Sequence, residues 1–200
     1  MPRLSSPNRP HRSLFFGRLV ELQCAEWLEE QDWTISGLEA FREGPDIEAV
    51  AKNQNPAAFE VKFIGQLNEC FNNGLKSLRG ENSSTLLSPY GAANFLLLRA
   101  YEAAKQLQKS TANTRIALLV IDELTWFTFA TQLKNGWIDW KNPAFLQFND
   151  PFIADRRDKN PALDADLGLA LGSINAVWIL KRSGVNQYER QYVFPMGPNG

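Results

Sequence analysis

The sequence predicts an α/β protein with a mixed central sheet flanked by helices. Three observations predict it. Residues 13–31 carry apolar side chains at helical spacing, residues 57–64 alternate as a strand does, and 114–121 is a short, β-branched, almost wholly apolar run of the kind that sits inside a parallel sheet. A long helical pattern lies between the two strands, and a sheet with helices on both faces follows from that order.

Taken in order, residues 1–11 are rich in Pro, Ser, Asn and Arg and predict a loosely packed start. The first helix runs to about Gln31, with Ser13 as a candidate cap. Its apolar stripe is Phe16, Leu19 or Val20, Cys24, Trp27 and Leu28. Residues 32–36 predict a short strand and 37–44 a polar loop. The turn signal Gly44-Pro45 opens a second strand at Asp46, and a turn over 52–56 leads back into the strand 57–64. Leu67, Cys70, Phe71, Leu75 and Leu78 recur at three- and four-residue intervals, predicting a helix over 66–78, loosened at Asn72-Asn73-Gly74. A loop over 79–84 precedes a long helix over 89–108. The buried strand 114–121 ends in Asp122-Glu123, which read as helix-initiating acids. A helix over 124–133 is expected despite strand-prone Thr and Phe residues, with Trp126, Trp137 and Trp140 as packing residues. Residues 141–170 read as loop, 173–181 and 187–194 as a hairpin, and 195–200 as a loose tail. The organisation is a core over 12–123 and an elaboration of the same domain over 124–194.

The chemistry concentrates in the first hairpin. Along 57–64, Phe59, Val61 and Phe63 fall on one face of the strand and Ala58, Glu60, Lys62 and Ile64 on the other, so Glu60 and Lys62 project side by side. If the two strands pair, Asp46 converges with Glu60, and two carboxylates so placed repel unless a positive charge lies between them. A divalent cation of the magnesium type, held by hard oxygen ligands and retained waters, answers that need. A neighbouring lysine then holds water for attack or offsets charge growing on a phosphate. On the preceding helix Glu21 has Gly17 and Ala25 one turn to either side, which leaves its carboxylate room. Arg18, three residues earlier on the same face, is its alternative partner.

Gly44-Pro45-Asp46, a spacer and Glu60-Val61-Lys62, after a glutamate-bearing helix, resemble the PD-(D/E)XK nuclease superfamily, with local similarity to the archaeal Holliday junction resolvases. The resemblance covers about residues 12–121. It implies a restriction endonuclease-like α-β-β-β-α-β core and metal-dependent hydrolysis of DNA, by endo- or exonucleolytic cleavage. Asp46, Glu60 and a backbone carbonyl near Val61 would bind Mg2+ (or Mn2+), Lys62 would assist the attacking water, and Glu21 would be the helix carboxylate. Glu48, on the face of Asp46, is a possible extra ligand. Gln66 matches only half of a glutamine-to-tyrosine pattern, since position 70 is Cys. Cutting two opposed strands needs two centres, so a homodimer is the expected assembly.

Composition bounds these expectations. A 200-residue chain that is 44% hydrophobic is long enough for one well-filled core. No run of about 18 apolar residues suggests a membrane span, and no apolar leader segment is seen, so a cytoplasmic protein with Cys24 and Cys70 as reduced thiols is expected. The net charge is −1, yet its distribution is uneven: residues 1–18 hold four arginines and no acid, and 19–60 hold ten acids against Arg42 and Lys52. Such a balance predicts weak or partner-assisted binding to nucleic acid around an acidic centre. With His11 as the only histidine, a Ser-His triad is excluded, and neither a phosphate-binding loop nor zinc-finger spacing occurs. A module that keeps the nuclease fold without catalysis is the alternative.

Overall fold

The computed structural model describes residues 10–38, 44–65, 89–146, 151–184 and 187–196. In chain order its elements are α1 (Pro10–Glu30), β1 (Thr34–Leu38), β2 (Ile47–Val50), β3 (Pro56–Ile64), α2 (Pro89–Leu107), β4 (Thr114–Asp122), α3 (Glu123–Lys134), α4 (Pro151–Lys159), α5 (Leu163–Gly172), β5 (Ala176–Ser183) and β6 (Gln187–Pro195). The strands form one sheet in the order β1-β2-β3-β4-β5-β6. β3, β4 and β5 are parallel neighbours, and the β1–β2, β2–β3 and β5–β6 pairs are antiparallel. A mixed sheet flanked by helices is therefore present, in the expected element order. The segment after residue 123 adds β5 and β6 to that same sheet.

Each strand sits where its side chains require. β4 is apolar on both faces because both are covered: Leu118 and Val120 meet the layer of α1, while Ala117, Leu119 and Ile121 meet α2, α3 and α5. β3 alternates between the same layers, with Phe59 and Val61 toward α1 and Ala58 and Ile64 toward α2. The α1 face is tied by aromatic rings. Phe59 meets Trp33 and Trp178 with centroids 5.1 and 5.9 Å apart, and Trp27 meets Trp178 edge-on at 6.4 Å. Cys24 is buried in this layer as a free thiol, and burial pushes its ionisation well up. No described helix is long and apolar enough to cross a membrane.

Four local expectations change. α1 begins at Pro10, so Ser13 lies inside the helix and does not cap it. β1 continues through Gly37 and Leu38, which pair with Glu48 and Ile47 after a register shift. Residues 141–170 hold two helices where loop was expected. Pro151 stands at the first position of α4, where its missing N–H costs nothing. Arg157 donates twice to Asp164 at 2.8 Å, clamping α4 to α5, and Arg156 pairs with Glu102 of α2 at 3.5 Å. These helices owe their stability to tertiary partners, which a local pattern does not display. At the other end Pro195 belongs to β6, and Met196 is buried with its N–H donating to the Asn175 carbonyl at 2.8 Å. The expected helix over 66–78, with Cys70, lies outside the described residues, as does most of the loose start.

Candidate functional site: two acids and a lysine on the β2–β3 hairpin

The hairpin register brings the acids together. Ile47 pairs with Phe59, so the position before it, Asp46, stands opposite Glu60. β2 begins at Ile47, and just before it the Asp46 carboxylate takes the place of a further ladder partner: its Oδ2 accepts the Val61 N–H at 2.7 Å. Pro56 opens β3, a position where its missing donor is tolerated. The connecting turn is held by the Gln54 N–H donating to Ala51 O at 2.8 Å.

Glu60 and Lys62 face the α2 layer. Glu60 is 1% exposed, and its Oε1 accepts from Lys62 Nζ at 2.7 Å. Lys62 Nζ also donates to Gln106 Oε1, at the far end of α2. The second Glu60 oxygen, Oε2, is buried with no hydrogen-bond partner. An ionised carboxylate held this way is costly. Burial accordingly pushes the Glu60 carboxyl up to about 8; the Lys62 charge opposes this and the Asp46 charge adds to it. A protonated Glu60 lies within hydrogen-bonding reach of Asp46. Asp46 is raised by burial as well, against the Val61 N–H and Lys62. Either a proton on Glu60 or a cation between the carboxylates relieves the strain.

Glu21 sits on α1. Its Oε2 accepts from Arg18 Nη1 at 2.6 Å, the alternative partner that the i,i+3 spacing offered. Burial raises its pKa, and the Asp46 charge is the next largest cause, so Glu21 is electrostatically linked to Asp46. Among the described residues no group of three or more His, Cys, Asp or Glu side chains is arranged to hold a metal ion. Glu48 reaches toward β1 and not toward β3: its carboxylate lies over Gly37, where a Cβ would stand 3.1 Å from Glu48 Oε2. Gln66 lies outside the described residues. Asp122 caps α3 by accepting the Leu124 N–H at 3.0 Å and faces Arg182 at 3.5 Å, a helix-initiating role. Trp140 is buried, and Trp126 and Trp137 pack against the core. Arg157 and Arg156, the basic residues of α4, are paired with Asp164 and Glu102, which offset their charge.

Gln106 is the contributor that sequence reasoning misses. It is one more exposed polar residue on a helix, 44 positions from Lys62, and nothing local marks it. What the described residues define is a mixed-sheet α/β protein with two acids and a lysine gathered on a strand pair. No family model, curated protein or solved structure matches the chain.

Proposed function

We propose that this protein is a metal-dependent deoxyribonuclease with a restriction endonuclease-like core. The observation that carries the proposal is the meeting of Asp46, Glu60 and Lys62 on the β2–β3 hairpin. Supporting it is the element order α-β-β-β-α-β through β4.

The donor set suits a hard divalent cation. Asp46 and Glu60 supply carboxylate oxygens, and Glu60 Oε2 is a buried acceptor that no donor reaches. Mg2+ or Mn2+ would be held by these two residues, with the backbone at Val61 beside them and retained waters completing its shell. Bound there, the ion would supply Lewis-acid polarisation of a phosphate and a more acidic water. The protein's own residues do the rest. The Val61 N–H fixes the Asp46 carboxylate, and Lys62 presents an ammonium to the charge that grows on the phosphate oxygens. Water adds to phosphorus, the P–O ester bond breaks, and one product keeps a phosphomonoester while the other regains a hydroxyl. Glu21, held by Arg18, adds negative potential from the α1 side. A homodimer would supply two such centres for the two strands of a duplex.

The test is cleavage of duplex and branched DNA with Mg2+ or Mn2+. Wild-type protein should cut, and Asp46→Ala and Lys62→Ala should each lose about a hundredfold or more of the rate. Equal rates in all three would remove the site from the proposal. A second reading, a non-catalytic nucleic-acid or protein-interaction module on the same fold, is favoured by one observation: no third acid joins Asp46 and Glu60 among the described residues. Calorimetric titration with Mg2+ separates the two, since the module has no reason to bind the ion.

A further inference from the structure

We propose that Gln106 is a positioning residue that aims the Lys62 ammonium. The assignment rests on the nuclease proposal and deepens it. An ammonium has three N–H donors and no acceptor. On Lys62, one donor goes to Glu60 Oε1 on its own strand at 2.7 Å and another to Gln106 Oε1 across the layer, on α2. Two acceptors on different elements define the direction of the third N–H, which is left for a substrate oxygen. A lysine on a flexible four-carbon stem otherwise samples many rotamers, and its contribution depends on being held where charge develops.

The choice of glutamine follows from the neighbours. Asp46 and Glu60 already place two carboxyl groups at the site, both strained by burial. A third carboxylate at position 106 would draw Lys62 from Glu60 and add repulsion against a phosphate. An amide oxygen orients the ammonium and brings no net charge. Gln106 is itself exposed, at the penultimate position of α2, so it contributes little to the core.

Gln106→Leu keeps the size and removes the acceptor. In DNA cleavage with Mg2+, its kcat should fall about tenfold with KM changed less than about twofold, because the interaction acts on the reacting charge and not on duplex binding. In the Lys62→Ala background the same substitution should cost less than about twofold, since its effect runs through the lysine. Trace acylation of lysines, read by mass spectrometry, needs no activity: Lys62 should react more slowly than exposed Lys105 in wild type, and the gap should narrow in Gln106→Leu. The melting temperature should not move. Full kcat in Gln106→Leu, an undiminished loss on top of Lys62→Ala, or unchanged acylation of Lys62 each overturns the Gln106 assignment and leaves the nuclease proposal standing. No cleavage by the wild type with either metal overturns both.

Discussion

Glu60 is a buried carboxyl whose one oxygen accepts from Lys62 while no donor reaches the other, and a proton on it lies within hydrogen-bonding reach of Asp46. Its pKa is about 8 in the folded chain against an ordinary 4.5. A raised pKa means that the folded state binds the proton more tightly than the unfolded chain does. The stability it contributes is fully present below about pH 4.5 and is lost as pH rises through about 8. Asp46 and Glu21, also raised, act in the same direction. Metal-free protein should therefore melt at progressively lower temperature from pH 5 to pH 8.5, by roughly 5 °C or more. Glu60→Gln keeps the shape and carries no charge, so its melting curve should be flatter over that window and lie above wild type at pH 8.5. Calorimetric melts of both proteins in metal-free buffer check this. A wild-type melting temperature that climbs across the range would mean that Glu60 is ionised and well solvated.

At the scale of elements, β3 is a strand whose two faces do different work. Ala58, Glu60 and Lys62 look toward α2, while Phe59 and Val61 anchor the strand under α1. Phe59 is fully buried between Trp33 and Trp178. Phe59→Ala should cost about 3–5 kcal/mol in denaturant unfolding. The same strand explains what could be read beforehand. Alternation in β3 and unbroken hydrophobicity in β4 are local signatures of one-sided and two-sided cover, so both strands, their parallel pairing and the meeting of Asp46 with Glu60 were legible. The Arg18–Glu21 pair was legible as one of two alternatives, because i,i+3 spacing is visible on a helix. α4 and α5 were not, since the Arg157–Asp164 clamp that joins them is tertiary and α5 carries Gly168 inside it. Gln106 was hidden for the same reason: its value lies in a strand 44 residues away.

At the scale of the whole molecule, the sheet assembles an acidic centre in a chain of net charge −1, with no large basic excess to neutralise it. The charge that the site needs must then come largely from the solvent. A ligand that binds only the folded state stabilises it by mass action, about 2.7 kcal/mol at a hundred times its Kd. For a chain of this size that is a rise of roughly 5–10 °C in melting temperature. Saturating Mg2+ at pH 8.5 should produce such a rise in wild type and not in Asp46→Ala, whose remaining site acid is Glu60. The gain should shrink toward pH 6, because the ion must displace the Glu60 proton and apparent affinity falls as that proton binds more firmly. Na+ at matched ionic strength controls for screening, which affects surface charges and leaves a buried pair largely untouched. A shift of equal size in Asp46→Ala would locate the ion elsewhere on the acidic surface. No shift in either protein would favour the non-catalytic module, in which Glu60 stays protonated and the hairpin serves as scaffold.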